Sequence, residues 1–171
     1  HAHYLTGSRT VHDFGDSNTE VLIYDDNLTL GYELVVDQDI DGLTGNDVLN
    51  IDATSGEDNP IDVNVAGASV TVGGLLPVDY AGIEALSVSG REGSDVFDVT
   101  PGAIPVLIDG GDPIGPLPGD ELNIIAGGAG LTVNSGPESD EGSFEFDDGS
   151  EPVSFNRIES GSVSGASSAT V

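Results

Sequence analysis

Closely spaced carboxylates in glycine-containing turns are the groups of this sequence best suited to chemistry. Asp37, Asp39 and Asp41 stand at alternate positions before Gly42. This D-x-D-x-D-G order opens EF-hand calcium loops, in which the carboxylates converge on one ion and the glycine permits a sharp turn. The bidentate acid of the twelfth position is missing, because Val48 stands there. The segment therefore predicts either a cation site or a solvated acidic turn.

Further aspartates lie in glycine-containing turns next to apolar runs, and we predict them as additional metal ligands. They are Asp47, Asp95, Asp109, Asp112 and Asp120. Carboxylate oxygens are hard ligands suited to calcium, and glycine lets a turn point its carbonyls inward. The alternative is that these are ordinary Gly-Asp turns without a bound ion.

Other catalytic and metal-binding groups are scarce in the chain. It contains no cysteine and no lysine, its three histidines fall within the first twelve residues, and no Gly-x-Ser-x-Gly motif occurs. Glu84 and Glu159, each beside an isoleucine, fit carboxylates that accept backbone amides at a corner. His1-Ala2-His3 could wrap copper or nickel only if His1 is a free amino terminus. We therefore predict that the protein is not an enzyme.

The elements that must position these acids belong to an internal repeat. Residues 77–90 return as residues 152–165, sharing Pro, Val, Ile, Glu, Ser, Val, Ser and Gly in register. Asp47-Val48-Leu49-Asn50-Ile51 likewise matches Asp120-Glu121-Leu122-Asn123-Ile124. We predict a lead-in segment (1–16), a repeat β domain (17–165) and a tail (166–171). The domain divides into a partial unit (17–44) and units at about 45–118 and 119–165.

Short runs of alternating apolar and polar residues, separated by Gly, Asn, Asp and Pro, predict an all-β fold with almost no helix. Because a solenoid buries its apolar stripe by stacking coil on coil, it suits a chain of this length with unequal turns. We expect a right-handed parallel β-solenoid of β-roll type. Two small β-sandwich repeats are the alternative.

Two stretches, Gly42–Asn50 and Gly90–Asp98, resemble the nonapeptide G-G-x-G-x-D-x-U-x of hemolysin-type (RTX) calcium-binding repeats, and each lacks the second glycine. The wider pattern of residues 45–165 looks like repeats in large secreted or surface proteins of bacteria. The resemblance implies a β-roll, bound Ca2+ and an extracellular or cell-surface location. In that family calcium lies between tandem nonapeptides, whereas Asp47 and Asp95 have no tandem partner.

The charge balance limits the partners. A formal net charge of −28 over 171 residues excludes binding to nucleic acid phosphates or to an anionic bilayer by electrostatic attraction. We expect divalent cations, further copies of the chain or other surface proteins as partners. The predicted function is a non-enzymatic, adhesin-like structural module that assembles into a surface layer or filament. The alternatives are an accessory module of a carbohydrate-active β-helix enzyme, or an acidic surface adapted to high salt.

Overall fold

The computed structural model describes residues 46–53, 56, 58–112 and 118–171 in full, together with the backbone of three earlier strands. This part of the chain is all-β, with sixteen strands in two open mixed sheets and no helix. The all-β expectation is therefore confirmed. Within the described residues there is accordingly no helix long and apolar enough to cross a membrane.

The first sheet, sheet A, contains nine strands in the order β1-β2-β4-β8-β10-β14-β13-β12-β16. Strands β2, β4, β8, β10 and β14 run parallel to one another. The strands are β1 (Arg9–His12), β2 (Thr19–Tyr24), β4 (Val48–Asp52), β8 (Ala85–Ser89), β10 (Val106–Asp109), β12 (Gly130–Ser135), β13 (Gly142–Phe146), β14 (Val153–Asn156) and β16 (Ser168–Thr170).

The second sheet, sheet B, contains seven strands in the order β15-β11-β9-β5-β6-β7-β3. Here β5, β9, β11 and β15 run parallel to one another, and β3 and β7 form a second parallel pair. The strands are β3 (Asp39–Asp41), β5 (Pro60–Asn64), β6 (Ser69–Val72), β7 (Val78–Ala81), β9 (Val96–Thr100), β11 (Glu121–Ile125) and β15 (Ser160–Ser164). From β8 to β11 each successive strand lies in the other sheet.

The core lies between the sheets and follows from the period-two sequence pattern. In β4 the side chains of Leu49 and Ile51 are buried while those of Val48, Asn50 and Asp52 are half-buried. Parallel register places Leu49 beside Leu86, Leu86 beside Val106, and Val106 beside Val153. Sheet B forms the facing rows, Ile61-Phe97-Leu122 and Val63-Val99-Ile124. Each of these strands thus adds buried apolar side chains to a continuous core.

The two segments that match in sequence have the same local structure. Residues 77–90 form β7, a corner and β8, and residues 152–165 form β14, a corner and β15. Ile83 and Ile158, the corner isoleucines, are each only 6% exposed. The sheets are exchanged, however, because the first segment runs from sheet B to sheet A and the second from A to B.

Each sheet also carries a three-stranded antiparallel meander, β5-β6-β7 in sheet B and β12-β13-β14 in sheet A. The first meander joins the parallel strands through its first strand and the second through its last. Of the predicted boundaries, the lead-in segment contains β1 and the tail contains all of β16, so both take part in sheet A.

Candidate functional site

The residues that immediately precede the parallel strands of sheet B form a row, which we call the carboxylate ladder: Asn59, Asp95, Asp120 and Glu159. The backbone N–H of Asn59 donates to Oδ1 of Asp95 at 2.8 Å, and that of Asp95 donates to Oδ1 of Asp120 at 2.7 Å. The N–H of Asp120 in turn donates to Oε2 of Glu159 at 2.7 Å. Each of the three carboxylates therefore binds the backbone of the preceding corner.

Backbone hydrogen bonds hold the same corners in place. Val96 N–H donates to the Asn59 carbonyl and Glu121 N–H to the Asp95 carbonyl, both at 2.9 Å. Since a buried backbone amide without an acceptor costs about 1–3 kcal/mol, the carboxylate oxygens stabilise corners that the sheet alone cannot satisfy.

A second carboxylate pair occurs where strands enter sheet A. The N–H of Asp47 donates to Oε2 of Glu84 at 2.7 Å, and the N–H of Glu84 donates back to the Asp47 carbonyl at 3.0 Å. Asp120 and Glu159 exchange the same two bonds at 2.7 and 3.1 Å. The structure therefore confirms that Glu84 and Glu159 accept backbone amides at corners.

Asp95 and Asp120 are the deeply buried members of the carboxylate ladder. Both side chains are 0% exposed, and neither Oδ2 atom has a hydrogen-bond partner. Burial raises the pKa of each carboxyl to about 6, against the lowering effect of the amide donors. Asp58 and Asp120 add repulsion at Asp95, as do Glu159 and Asp109 at Asp120, where Arg157 acts in the opposite sense.

Glycines occupy the positions that these oxygen atoms approach. A Cβ on Gly90 would collide with Oδ2 of Asp95 and would lie 2.6 Å from the Gly110 carbonyl oxygen. A Cβ on Gly110 would lie 2.5 Å from Oδ2 of Asp120 and collide with the Arg157 carbonyl oxygen. Real Cβ atoms do not approach so closely, so only glycine fits beside the two buried carboxyls.

Two arginines pair with acids at the same corners. Nη2 of Arg91 donates to Oδ2 of Asp52 at 2.6 Å, and Nε of Arg157 donates to Oδ1 of Asp109 at 2.7 Å. Both arginines have left-handed backbone conformations, with φ of 73° and 56°. Arg157 corresponds in the sequence match to Gly82, whose φ is 64°. Sequence reasoning missed these ion pairs, because Asp52 and Asp109 lie 39 and 48 residues away from their partners.

The predicted metal ligands do not converge within the described residues. Asp37 lies outside them, and Asp39 and Asp41 lie on β3, where only the backbone is described. Asp47, Asp95 and Asp120 occupy corners just before strands, Asp109 pairs with Arg157, and Asp112 is exposed. In the described part of the chain no three His, Cys, Asp or Glu side chains are grouped so as to hold a metal ion. Calcium binding stays a prediction.

The buried carboxyls predict an unusual pH dependence of stability. Because their pKa lies above the usual 3.8 in the folded state, the folded protein binds more protons than the unfolded chain between about pH 4 and 6. The free energy of unfolding should therefore fall as pH rises through this window, by up to about 1.4 kcal/mol per pH unit for each group. Urea titrations at several pH values measure this slope.

The controls for this experiment are variants that remove carboxylate charge at buried or at exposed positions. The D95N/D120N variant should have a flatter slope, whereas D62N, which removes an exposed carboxylate from β5, should retain it. A wild-type stability that rises steadily from pH 4 to pH 7 would contradict the role of the two buried acids.

Comparisons with known proteins give no further assignment: no family model, curated protein or solved structure matches the chain.

Proposed function

We propose that this chain is a non-enzymatic structural module of a bacterial extracellular or cell-surface protein, adhesin-like in type, built as a right-handed parallel β-solenoid of repeated units. The alternation of strands between two sheets supports the solenoid. Right-handedness is supported by the near-universal hand of crossovers between parallel strands of one sheet. The matching strand–corner–strand segments support the repeat.

The observation that carries the proposal is the carboxylate ladder. Catalytic carboxylates are normally accessible to a substrate, but Asp95 and Asp120 are fully buried and direct their Oδ1 atoms to backbone amides. Their position gives them a structural role, in which each carboxylate links its own corner to the preceding one through a hydrogen bond.

Divalent cations are proposed to stabilise the module by relieving repulsion between exposed acids. Asp62 and Asp98 are exposed and stand directly opposite each other on the parallel strands β5 and β9. Glu92 and Asp112, both exposed, are paired across an isolated bridge. Like charges in such positions destabilise a sheet, and an ion with two charges offsets both members of a pair.

Removal of calcium tests this proposal. We expect a chelator to lower the melting temperature by several degrees, corresponding to about 1 kcal/mol or more, relative to the same protein in about 1 mM Ca2+ at equal ionic strength. Sodium chloride at matched ionic strength is the control for general screening. An unchanged melt on chelation would show that cations have no specific part, and a melt restored equally by sodium chloride would favour adaptation to salt.

A further inference from the structure

The outermost strands of the two sheets differ in how well they are protected against pairing. At one end of the stack, β1 carries Arg9 and His12, and β3 carries Asp39 and Asp41. At the other end, β15 and β16 lie at the edges of sheets B and A. Residues 160–171 contain no charged residue and no proline. Charges and prolines on edge strands are the usual protection against edge-to-edge association, and this end has neither.

Strand β15 presents unpaired backbone groups in a regular arrangement. Ser160 N–H donates to Asp120, and the Ser164 carbonyl accepts from Ala126, so the even-numbered residues of β15 direct their polar groups towards β11. Because hydrogen bonding alternates along a strand, Gly161 and Val163 direct theirs to the open edge. Within the described residues no strand pairs with that edge, and all five residues of β15 are exposed.

The sequence of β15, Ser160-Gly161-Ser162-Val163-Ser164, is nearly palindromic. If two copies meet antiparallel about a two-fold axis at Ser162, Gly161 of one stands opposite Val163 of the other, and the two residues can exchange both backbone hydrogen bonds. The small glycine then leaves space for the valine. Their side chains lie on the inward face, level with Leu122 and Ile124.

An apolar groove lies next to this edge. It runs beside β15 and is lined by Leu122, Val133, Phe144, Phe155, Ile158 and Val163. Val163 is 38% exposed there. A strand added to β15 would cover part of the groove and add apolar burial to the backbone hydrogen bonds.

We propose that the edge of β15 binds the same edge of a second copy of this chain, giving a two-fold dimer. The sequence of β15 determines the choice of partner, because a second copy supplies a strand that matches it in the two-fold antiparallel register. Residues 160–171 carry no charged side chain, so contact there keeps the acidic corners of two chains of net charge −28 apart. An isologous contact of this kind closes on itself, so it yields a dimer and not a filament. The inference rests on the proposed structural role and specifies its partner.

Sedimentation of the 171-residue chain from about 1 µM to about 1 mM tests this, since weak to moderate association falls in that range. We expect a reversible change from 17.4 kDa to twice that mass, without larger species. Val163→Pro removes an outward N–H and leaves the bonds to β11 intact, so it should weaken dimerisation at least about tenfold. Val163→Ala, which keeps that N–H, should weaken it less.

A second variant covers the case in which the proline variant is misfolded. Ser162→Asp places like charges opposite each other at the axis and should also weaken dimerisation, whereas Leu75→Asp adds the same charge at the exposed turn between β6 and β7, on the far side of sheet B from β15, and should not. A chain that stays monomeric at all concentrations, or that forms open-ended filaments, overturns this proposal. Neither result contradicts the proposed structural role, because the chelation experiment tests that role independently of dimerisation.

Discussion

Gly110→Ala should destabilise the protein by about 3 kcal/mol, the upper end of the usual cost of forcing an extra group into a packed core. The added methyl group would collide with the Arg157 carbonyl oxygen and lie 2.5 Å from Oδ2 of Asp120. Since one of these atoms belongs to the backbone of the neighbouring strand's end, rotation of a side chain cannot relieve the contact. Chemical denaturation measures the loss.

Gly74→Ala is the matched control, because a Cβ at that position would meet nothing within 4 Å and its backbone is not left-handed. Glycine-to-alanine changes at such sites are neutral or stabilise the protein by up to about 1 kcal/mol, because alanine lowers the conformational entropy of the unfolded chain. Equal stabilities of the two variants would show that β10 and β14 do not approach each other as described.

Phe97→Ala should cost about 3–5 kcal/mol, the usual loss for a large aromatic residue removed from a close-packed core. Among the residues whose burial the structure describes, Phe97 is the largest fully buried side chain, and it lies between Ile61 and Leu122 in sheet B. Thermal or urea unfolding of the variant measures the effect.

The neighbouring residue provides the control for Phe97. Val96 on the same strand points to the opposite face and is 36% exposed, so Val96→Ala should cost less than about 1 kcal/mol. Similar losses for both variants would contradict the assignment of faces along β9 and, through the parallel register, along β5 and β11.

Local patterns were sufficient to predict many of the strands. The alternation in Leu49-Asn50-Ile51-Asp52 and in Val96-Phe97-Asp98-Val99 indicates half-buried strands, since period two is a property of the strand itself. In the second run Val96 and Phe97 are both apolar, and the structure shows that Phe97 is the buried one. The corner function of Glu84 was also accessible, because a carboxylate beside a buried isoleucine at the start of a strand has backbone amides as its nearest donors.

The pairing between distant residues could not be read in the same way. Asn59 lies 36 residues from Asp95 and Asp95 lies 25 residues from Asp120, so no fixed spacing revealed the carboxylate ladder. The metal hypothesis treated each acid with its sequence neighbours, whereas Asp95 and Asp120 bind backbone amides at the corners of neighbouring strands. The exchange of sheets between matching segments is likewise a consequence of topology, which the sequence match does not contain.

The unequal distances between stacked strands have a consequence for how this architecture can change in length. Leu86 and Val106 pair at a separation of 20 residues, but Val106 and Val153 pair at a separation of 47. The surplus of the longer connection forms the β12-β13 hairpin on the margin of sheet A, and the rows of core residues continue without a break. Insertions and deletions at such hairpins therefore lengthen or shorten the margin of a sheet, to which β12 and β13 contribute the buried Leu131 and Phe144, while the parallel strands keep their register.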